Sequence, residues 1–444
     1  MPRRVVITGI GAVTPFGVGM DMLWEGLCAG RSCMGPIERF DASAFRSSFG
    51  AEVRDFQVKE YVPKSYRKAV KVLARDTELA VAAALCAVEA AGLVTKGMPA
   101  HIEDGVEPTY PASRVGCQIG AGLIAAEVPE LAAAMVTATQ DGDFSYDRWG
   151  TDSEHGAGMD NLTPLWMLKY LPNMLSCHVT IIHDARGPSN TITCSEASGP
   201  LSIGESMRII ERGDADVCFS GGVESKLNPM GLIRFDLTGI LAHTSPGDDP
   251  TSFVRPYDTE APGTLTGEGG GILILEALDA ANKRGATPIA EIVGFGAGHS
   301  PQSGDARRRS VGLEVAIRAA LKEAGITPDQ IDAIVPQGAG HRAADEPEAQ
   351  ALRTVFGDGL STIPLVTVTP SIGTLAAGAG AVGVCVAARC LAEQRLPARL
   401  HPGKPEVGLD AGPAPARDAP LEYVLACTGA IGGQNAALIL RRTA

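Results

Sequence analysis

The sequence predicts an α/β fold made of two halves with like element order. Three observations carry this. Apolar strand-like stretches alternate with helix-patterned ones along all 444 residues. The strand-like stretches are near-continuous apolar runs, as expected for a sheet covered on both faces, and the intervening helices are rich in small residues. The order of elements before a break near 250–262 recurs after it, although the two halves share no obvious sequence identity. The expected division is 1–255 and 256–444.

Taken in order, residues 5–13 (VVITGIGAV) read as a strand running into a Gly/Pro turn, and 21–29 as a helix. Residues 76–91 carry an alanine-rich helical pattern that stops at Gly92. Residues 113–122 form a short apolar strand ending in glycines, and 123–180 are mostly helical with polar loops. A helix over 198–212 leads to a buried strand at 217–222, and GGILILE at 270–276 is a strand before a helix near 279–284. The second half repeats the order. A strand at 289–295 precedes a helix at 310–324 capped by Gly325, and a strand at 331–335 runs into a Gly-rich loop. Helices follow at 346–356 and 376–392. Strands at 423–427 and 436–440 close the chain around a Gly-rich turn.

A 45% hydrophobic chain of this length can bury a large core, and its 53 glycines suit close packing of helices on sheets. The formal net charge of −13 excludes nucleic acid or an anionic membrane as the main partner. An acidic carrier protein needs a local basic patch. Arg67, Lys68 and Lys71 make one candidate and Arg307, Arg308 and Arg309 another, though each cluster reads first as solvated surface. The ten cysteines show no CxxC pair and no zinc-like His/Cys spacing, so they are expected to be reduced thiols in a cytoplasmic protein. The first apolar run is short, broken by glycines and followed by Thr14-Pro15, so it reads as a buried strand and not as a signal peptide. No segment is expected to cross a membrane. There is no metal motif, Walker loop or dinucleotide fingerprint, so no cofactor is expected.

The most informative stretch is GPSNTITCSEASGPLSIGES, residues 187–206. It resembles the nucleophile turn of β-ketoacyl-[acyl-carrier-protein] synthases, G-P-S-x-x-I-x-T-A-C-x-S-G-x-x-x-I-G. Gly187, Pro188, Ser189 and Ile192 match on one side, and Ser198, Gly199, Ile203 and Gly204 on the other. The cysteine position then falls on Glu196, with Cys194 two residues upstream. The resemblance runs on through RRVVITGIGAVTPFG at the start, GDADVCFSGGVES, FVRPYD, GEGGGILILE, DEPEAQALRTVFG and GGQNAALIL, in the family's order. It implies the thiolase fold, two related halves layered αβαβα that dimerise across the first half.

The same register implies lost chemistry. Condensation needs a thiolate to hold the acyl group, imidazoles to assist decarboxylation, and N–H donors for the oxyanion. In VPQGAGHRAAD the first family histidine is replaced by Gln337. In TPSIGTLAAGAG the second is replaced by Thr374 and the family lysine by Thr369. Glutamine and threonine cannot exchange protons near neutral pH. An acyl–carboxylate anhydride on Glu196 would hydrolyse readily. The expected role of Glu196 is an anionic plug at a helix start. The gating turn reads Ala430-Ile431-Gly432-Gly433, with Ile431 in place of the gating aromatic. Cys194, His341, Ile431, Gly432 and Gly433 are the candidate pocket residues. His178, Glu268 and Glu276 match framework positions.

The leading expectation is a catalytically degenerate ketosynthase homologue, similar to the chain-length factor that pairs with an active ketosynthase and serves acyl carrier protein. The alternatives are an acyl-processing enzyme of altered chemistry using Glu196 or Cys194, and an acyl or acyl-carrier binding protein. The expected protein partner is an active ketosynthase paralogue in a heterodimer or a second copy in a homodimer.

Overall fold

A computed structural model describes residues 2–150, 154, 156–301 and 303–443. Nine strands form the backbone of the sheet: β1 Val5–Thr14, β2 Val115–Gly120, β3 Ser189–Ile192, β4 Val217–Ser225, β5 Thr266–Ala277, β6 Ala290–His299, β7 Ala333–Val335, β8 Tyr423–Gly429 and β9 Gln434–Arg442. Their spatial order is β7-β8-β9-β6-β1-β5-β4-β2-β3. In the first half the order is first strand, fifth, fourth, second, third, with β1–β5 and β5–β4 antiparallel and β4–β2 and β2–β3 parallel. The second half repeats it as β6, β9, β8, β7, and a parallel bridge from Ile334 to Leu365 stands where the third strand would lie. The duplication expected from element order is therefore a duplication of topology. The halves join where Val5, Val6 and Ile7 pair with Ile292, Glu291 and Ala290.

Seven helices matter to the layering: α1 Arg75–Ala90, α2 Met174–His183, α3 Ser198–Glu211, α4 Pro229–Leu237, α5 Ala306–Ala324, α6 Arg342–Phe356 and α7 Ala379–Glu393. The strand period of two sorts the core. Leu273 and Leu275 of β5 face a central layer with Ile203 and Met207 of α3 and Val382 and Val386 of α7. Ile272 and Ile274 face outward onto Leu79 and Val88 of α1 and Val179 of α2. In the second half Ala426 and Leu438 face the centre, while Leu425 and Ile439 face Ile317 of α5 and Leu352 of α6. The result is α1/α2, half-sheet, α3/α7, half-sheet, α5/α6, the αβαβα arrangement.

Glycine sets the spacing of the outer layers. A Cβ on Gly11 would lie 1.9 Å from the Ala83 carbonyl oxygen, and one on Gly296 2.0 Å from that of Ala316. The first strand of each half thus lets its covering helix approach backbone to backbone.

Four expectations change. The described residues of 123–180 form short helical pieces, Val128–Thr137, Tyr146–Gly150, the 3₁₀ turns Gly158–Asn161 and Trp166–Tyr170 and the start of α2, with a small ribbon of Thr139–Gln140 and Asp143–Phe144 between them. β3 and α4 were not foreseen, since four partly polar residues and a nine-residue segment give weak periodicity. The helix expected over 376–392 is broken: Ala376 takes φ 48° and 376–378 form a 3₁₀ turn before α7 begins. Finally, the stretch Ala376–Glu393 is long and apolar enough to cross a membrane by length and composition, with mean hydropathy 1.4. Most of it is buried as the central α7 layer, so the small apolar residues serve packing between two sheets.

Candidate active site

The turn bearing Glu196 links β3 to α3. Its backbone reverses at Ser195 (φ 49°), then runs through one 3₁₀ turn, Ser195–Ala197. Ser198 ties the turn closed: its hydroxyl donates to the Ser195 carbonyl at 2.6 Å and accepts the Cys194 N–H at 2.8 Å. Gly120 at the end of β2 makes room, because a Cβ there would lie 2.4 Å from the Ser198 carbonyl carbon.

Glu196 is 2% exposed, and its Oε2 has no hydrogen-bond partner. Burial pushes its pKa up, and Glu224 acts in the same direction. The N–H groups of Glu196 and Ile431 and the Ser195 hydroxyl act against that rise without cancelling it. The expected anionic plug is thus opposed by burial, and the donors that favour the anion are first its own N–H and the Ser195 hydroxyl in the turn before α3, then the Ile431 N–H of the facing turn.

Glu224, at the end of β4, accepts the Ala377 N–H at 2.8 Å and pairs with Lys226. The Lys226 ammonium also donates to the Leu123 carbonyl at 2.7 Å. Behind them, Asp76 accepts the Ser225 N–H at 3.1 Å. Burial raises Asp76 to about 7, with Lys226 opposing and Glu224 assisting the shift. Sequence reading passed over these groups. The visible signal was a carboxylate and an amine, Glu224 and Lys226, closing an otherwise apolar strand.

Carboxylates of α6 shape the loop holding Gln337. Glu348 accepts the N–H groups of Gln337 and Gly338, both at 2.9 Å, and the Tyr257 hydroxyl at 2.8 Å. Asp345 accepts the N–H groups of Gly340 at 3.1 Å and Tyr257 at 3.0 Å. The Gln337 side-chain oxygen accepts the Gly429 N–H at 3.1 Å and the Thr428 hydroxyl at 3.3 Å, while the Gln337 carbonyl accepts the Thr369 hydroxyl at 3.0 Å. Glu196 and Gln337 are thus connected through the 428–433 turn, and Thr369 joins them through the Gln337 carbonyl. Thr374 is buried and bound through its backbone, to Leu265 at 2.9 Å and Gly267 at 2.8 Å.

Two cavities flank Ile431, which is 43% exposed. One, of about 190 Å³, is lined by Gln337, His341, Arg309, Ser300, Ile431 and Gly433. The other, of about 420 Å³, is lined by Ser195, Glu224, Lys226, Arg234, Ile431 and Gly432 among others. His341 is buried, with its Nδ1 unpartnered, and burial lowers its pKa to about 4, leaving it neutral at pH 7. Cys194 lines neither cavity. It is half-buried, and burial pushes its thiol up, the opposite of an activated nucleophile.

The other residues singled out from sequence have framework surroundings. His178 bonds the Tyr66 hydroxyl at 2.5 Å, Glu268 holds Arg75 at 2.9 Å, and Glu276 holds Arg284 at 2.5 Å. Arg67, Lys68, Lys71, Arg307 and Arg308 are exposed. Arg309 departs from a solvated-surface reading: it bonds the Ala343 carbonyl and lines the smaller cavity.

Around Ile431 the arrangement gathers carboxylates, amides and hydroxyls, with one neutral imidazole, His341. The chain matches the family model for the β-ketoacyl synthase N-terminal domain over residues 2–281 and that for the C-terminal domain over 289–402. It is 31% identical over 449 residues to 3-oxoacyl-[acyl-carrier-protein] synthase 2 of Coxiella burnetii, covering 99% of each chain. It is 30% identical over 450 residues to the protein of that name from Vibrio cholerae, again covering 99% of each. Among solved structures, the ishigamide ketosynthase/chain length factor superposes with a TM-score of 0.81 at 28% identity, with both chains fully covered.

Proposed function

This chain belongs to the β-ketoacyl synthase family, and on that premise we propose that it is a non-condensing member, the cytoplasmic partner subunit of an active ketosynthase in fatty-acid or polyketide biosynthesis. The observation that carries this is Glu196. By the register of the family motifs, this buried carboxylate with a raised pKa stands for the nucleophile, and Gln337 and Thr374 stand for the bases. A scaffold kept while its reacting groups are replaced can still complete an interface and shape a partner's acyl tunnel.

Two surface features support a partner. β3 ends the sheet, and among the described residues its outer edge pairs with nothing. An open edge with Ser189 and Asn190 exposed is a template for a strand of another chain. The segment leading to it exposes Val136 (75%), Tyr146 (83%) and Leu165 (75%), which is apolar surface suited to burial in a dimer. An acidic acyl carrier protein would meet the exposed Arg307 and Arg308 near the smaller cavity.

Affinity purification from the native host followed by native mass spectrometry tests the proposal. The expected result is a one-to-one complex with a second ketosynthase bearing Cys, His and His. A homodimer alone, competent in condensation, overturns it.

A further inference from the structure

The larger cavity beside Ile431 is charged in a way that elongation of a plain aliphatic chain does not require. Its walls include the apolar Leu123, Phe235 and Ile431, together with two cations, Lys226 and Arg234. Lys226 is already engaged, by Glu224 and by the Leu123 carbonyl. Arg234, on α4, is not: it forms no ion pair or hydrogen bond among the described residues, and its Nη1 is buried without a partner. Arg234 borders the cavity and is only partly buried, so its remaining donors are open to an acceptor that enters. The neighbouring Asp236 faces Arg46 and His243 instead. With Lys226 matched to Glu224, the cavity wall keeps an excess of one positive charge, at Arg234.

We infer that Arg234 is the receptor for an oxyanion carried by the thioester that enters this cavity, either a carboxylate on a short acyl group or a phosphate on the thiol arm. This rests on the reading of the cleft as an acyl-thioester site; it does not depend on the partner-subunit role. A guanidinium suits both anions, because its planar fork donates two parallel hydrogen bonds to either. The Thr193 and Thr238 hydroxyls in the same walls offer further donors.

The test is calorimetric titration of the purified full chain with three probes: butyryl-pantetheine, which has no anion; succinyl-pantetheine, which has a carboxylate; and butyryl-phosphopantetheine, which has a phosphate. At least one anionic probe should bind about tenfold or more tightly than butyryl-pantetheine. That gap should collapse in Arg234→Gln and persist in part in Arg234→Lys, with butyryl-pantetheine binding unchanged in both. A gap confined to succinyl-pantetheine assigns the anion to the acyl group, and one confined to the phosphorylated probe assigns it to the arm. Equal binding of all three probes, or a gap that survives Arg234→Gln, overturns the inference alone. No binding of any probe overturns it together with the acyl-thioester reading. Should Arg234→Gln fail to fold, the Lys variant and the salt dependence of the gap decide in the same way.

Discussion

The side-chain oxygen of Gln337 accepts the backbone N–H of Gly429 at 3.1 Å, joining the loop after β7 to the turn between β8 and β9. The same oxygen takes the Thr428 hydroxyl at 3.3 Å. A residue at a position expected to hold a base therefore acts as a brace. Gln337→Ala should cost about 1–2 kcal/mol, the order expected when two such bonds are lost and a part-buried N–H is left open. Chemical denaturation gives the magnitude, and hydrogen exchange should show faster opening confined to residues 428–433.

Restoring the thiol alone should not restore condensation. Glu196→Cys places a thiol in the buried turn with no imidazole among the groups around it. The triple variant Glu196→Cys, Gln337→His, Thr374→His should exceed the single one by at least about 10²-fold in decarboxylating a malonyl thioester, the usual scale of positioned acid–base groups. Equal rates would show that these positions no longer converge.

Asp76 gives the pH dependence. Its folded pKa of about 7 lies above the ordinary value of 3.8, owing first to burial. A carboxylate raised in this way binds its proton more tightly in the folded state, so stability falls as pH rises between those values and is level above the higher one. Asp76→Asn keeps an oxygen for the Ser225 N–H and removes the charge. It should be more stable than the parent by roughly 1–3 kcal/mol at pH 8, with the difference vanishing near pH 4. Denaturation midpoints across that range check both sign and window.

Cys194→Ala should leave complex formation and any acyl binding unchanged. Mass-spectrometric alkylation should find this thiol slower than free cysteine at pH 7.5, in line with a pKa raised by burial. Selective rapid labelling of Cys194 would contradict that geometry.

The α/β architecture was legible because apolar strand-like runs such as GGILILE at 270–276 alternate with helix-patterned stretches in two like halves, whereas the layering came from the family resemblance. The substitutions at Glu196, Gln337, Thr374 and Thr369 were legible by register. Their present roles were not, because each depends on groups far off in sequence. Gln337 is held by Glu348 and holds Gly429, and Glu196 is influenced by Ile431 and Glu224. Lys226 and Arg234 gave no periodic signal, and only the folding of α4 beside β4 brings them to one wall. The break at Ala376 escaped notice because alanine favours helix, and the turn is imposed by tertiary contacts, including the Ala377 N–H on Glu224.

The unpaired edge of β3 bears on supply as well as on architecture. Among the described residues the outward-facing backbone donors and acceptors of β3 have no strand partner, and they can pair with a matching strand that is abundant. If the proposed partner role holds, the soluble yield of this chain should follow the ratio in which it is synthesised with that partner. Under the proposed partner role, copies made in excess would be driven to pair with one another, and balanced translation of the two chains would be a condition for a uniform population.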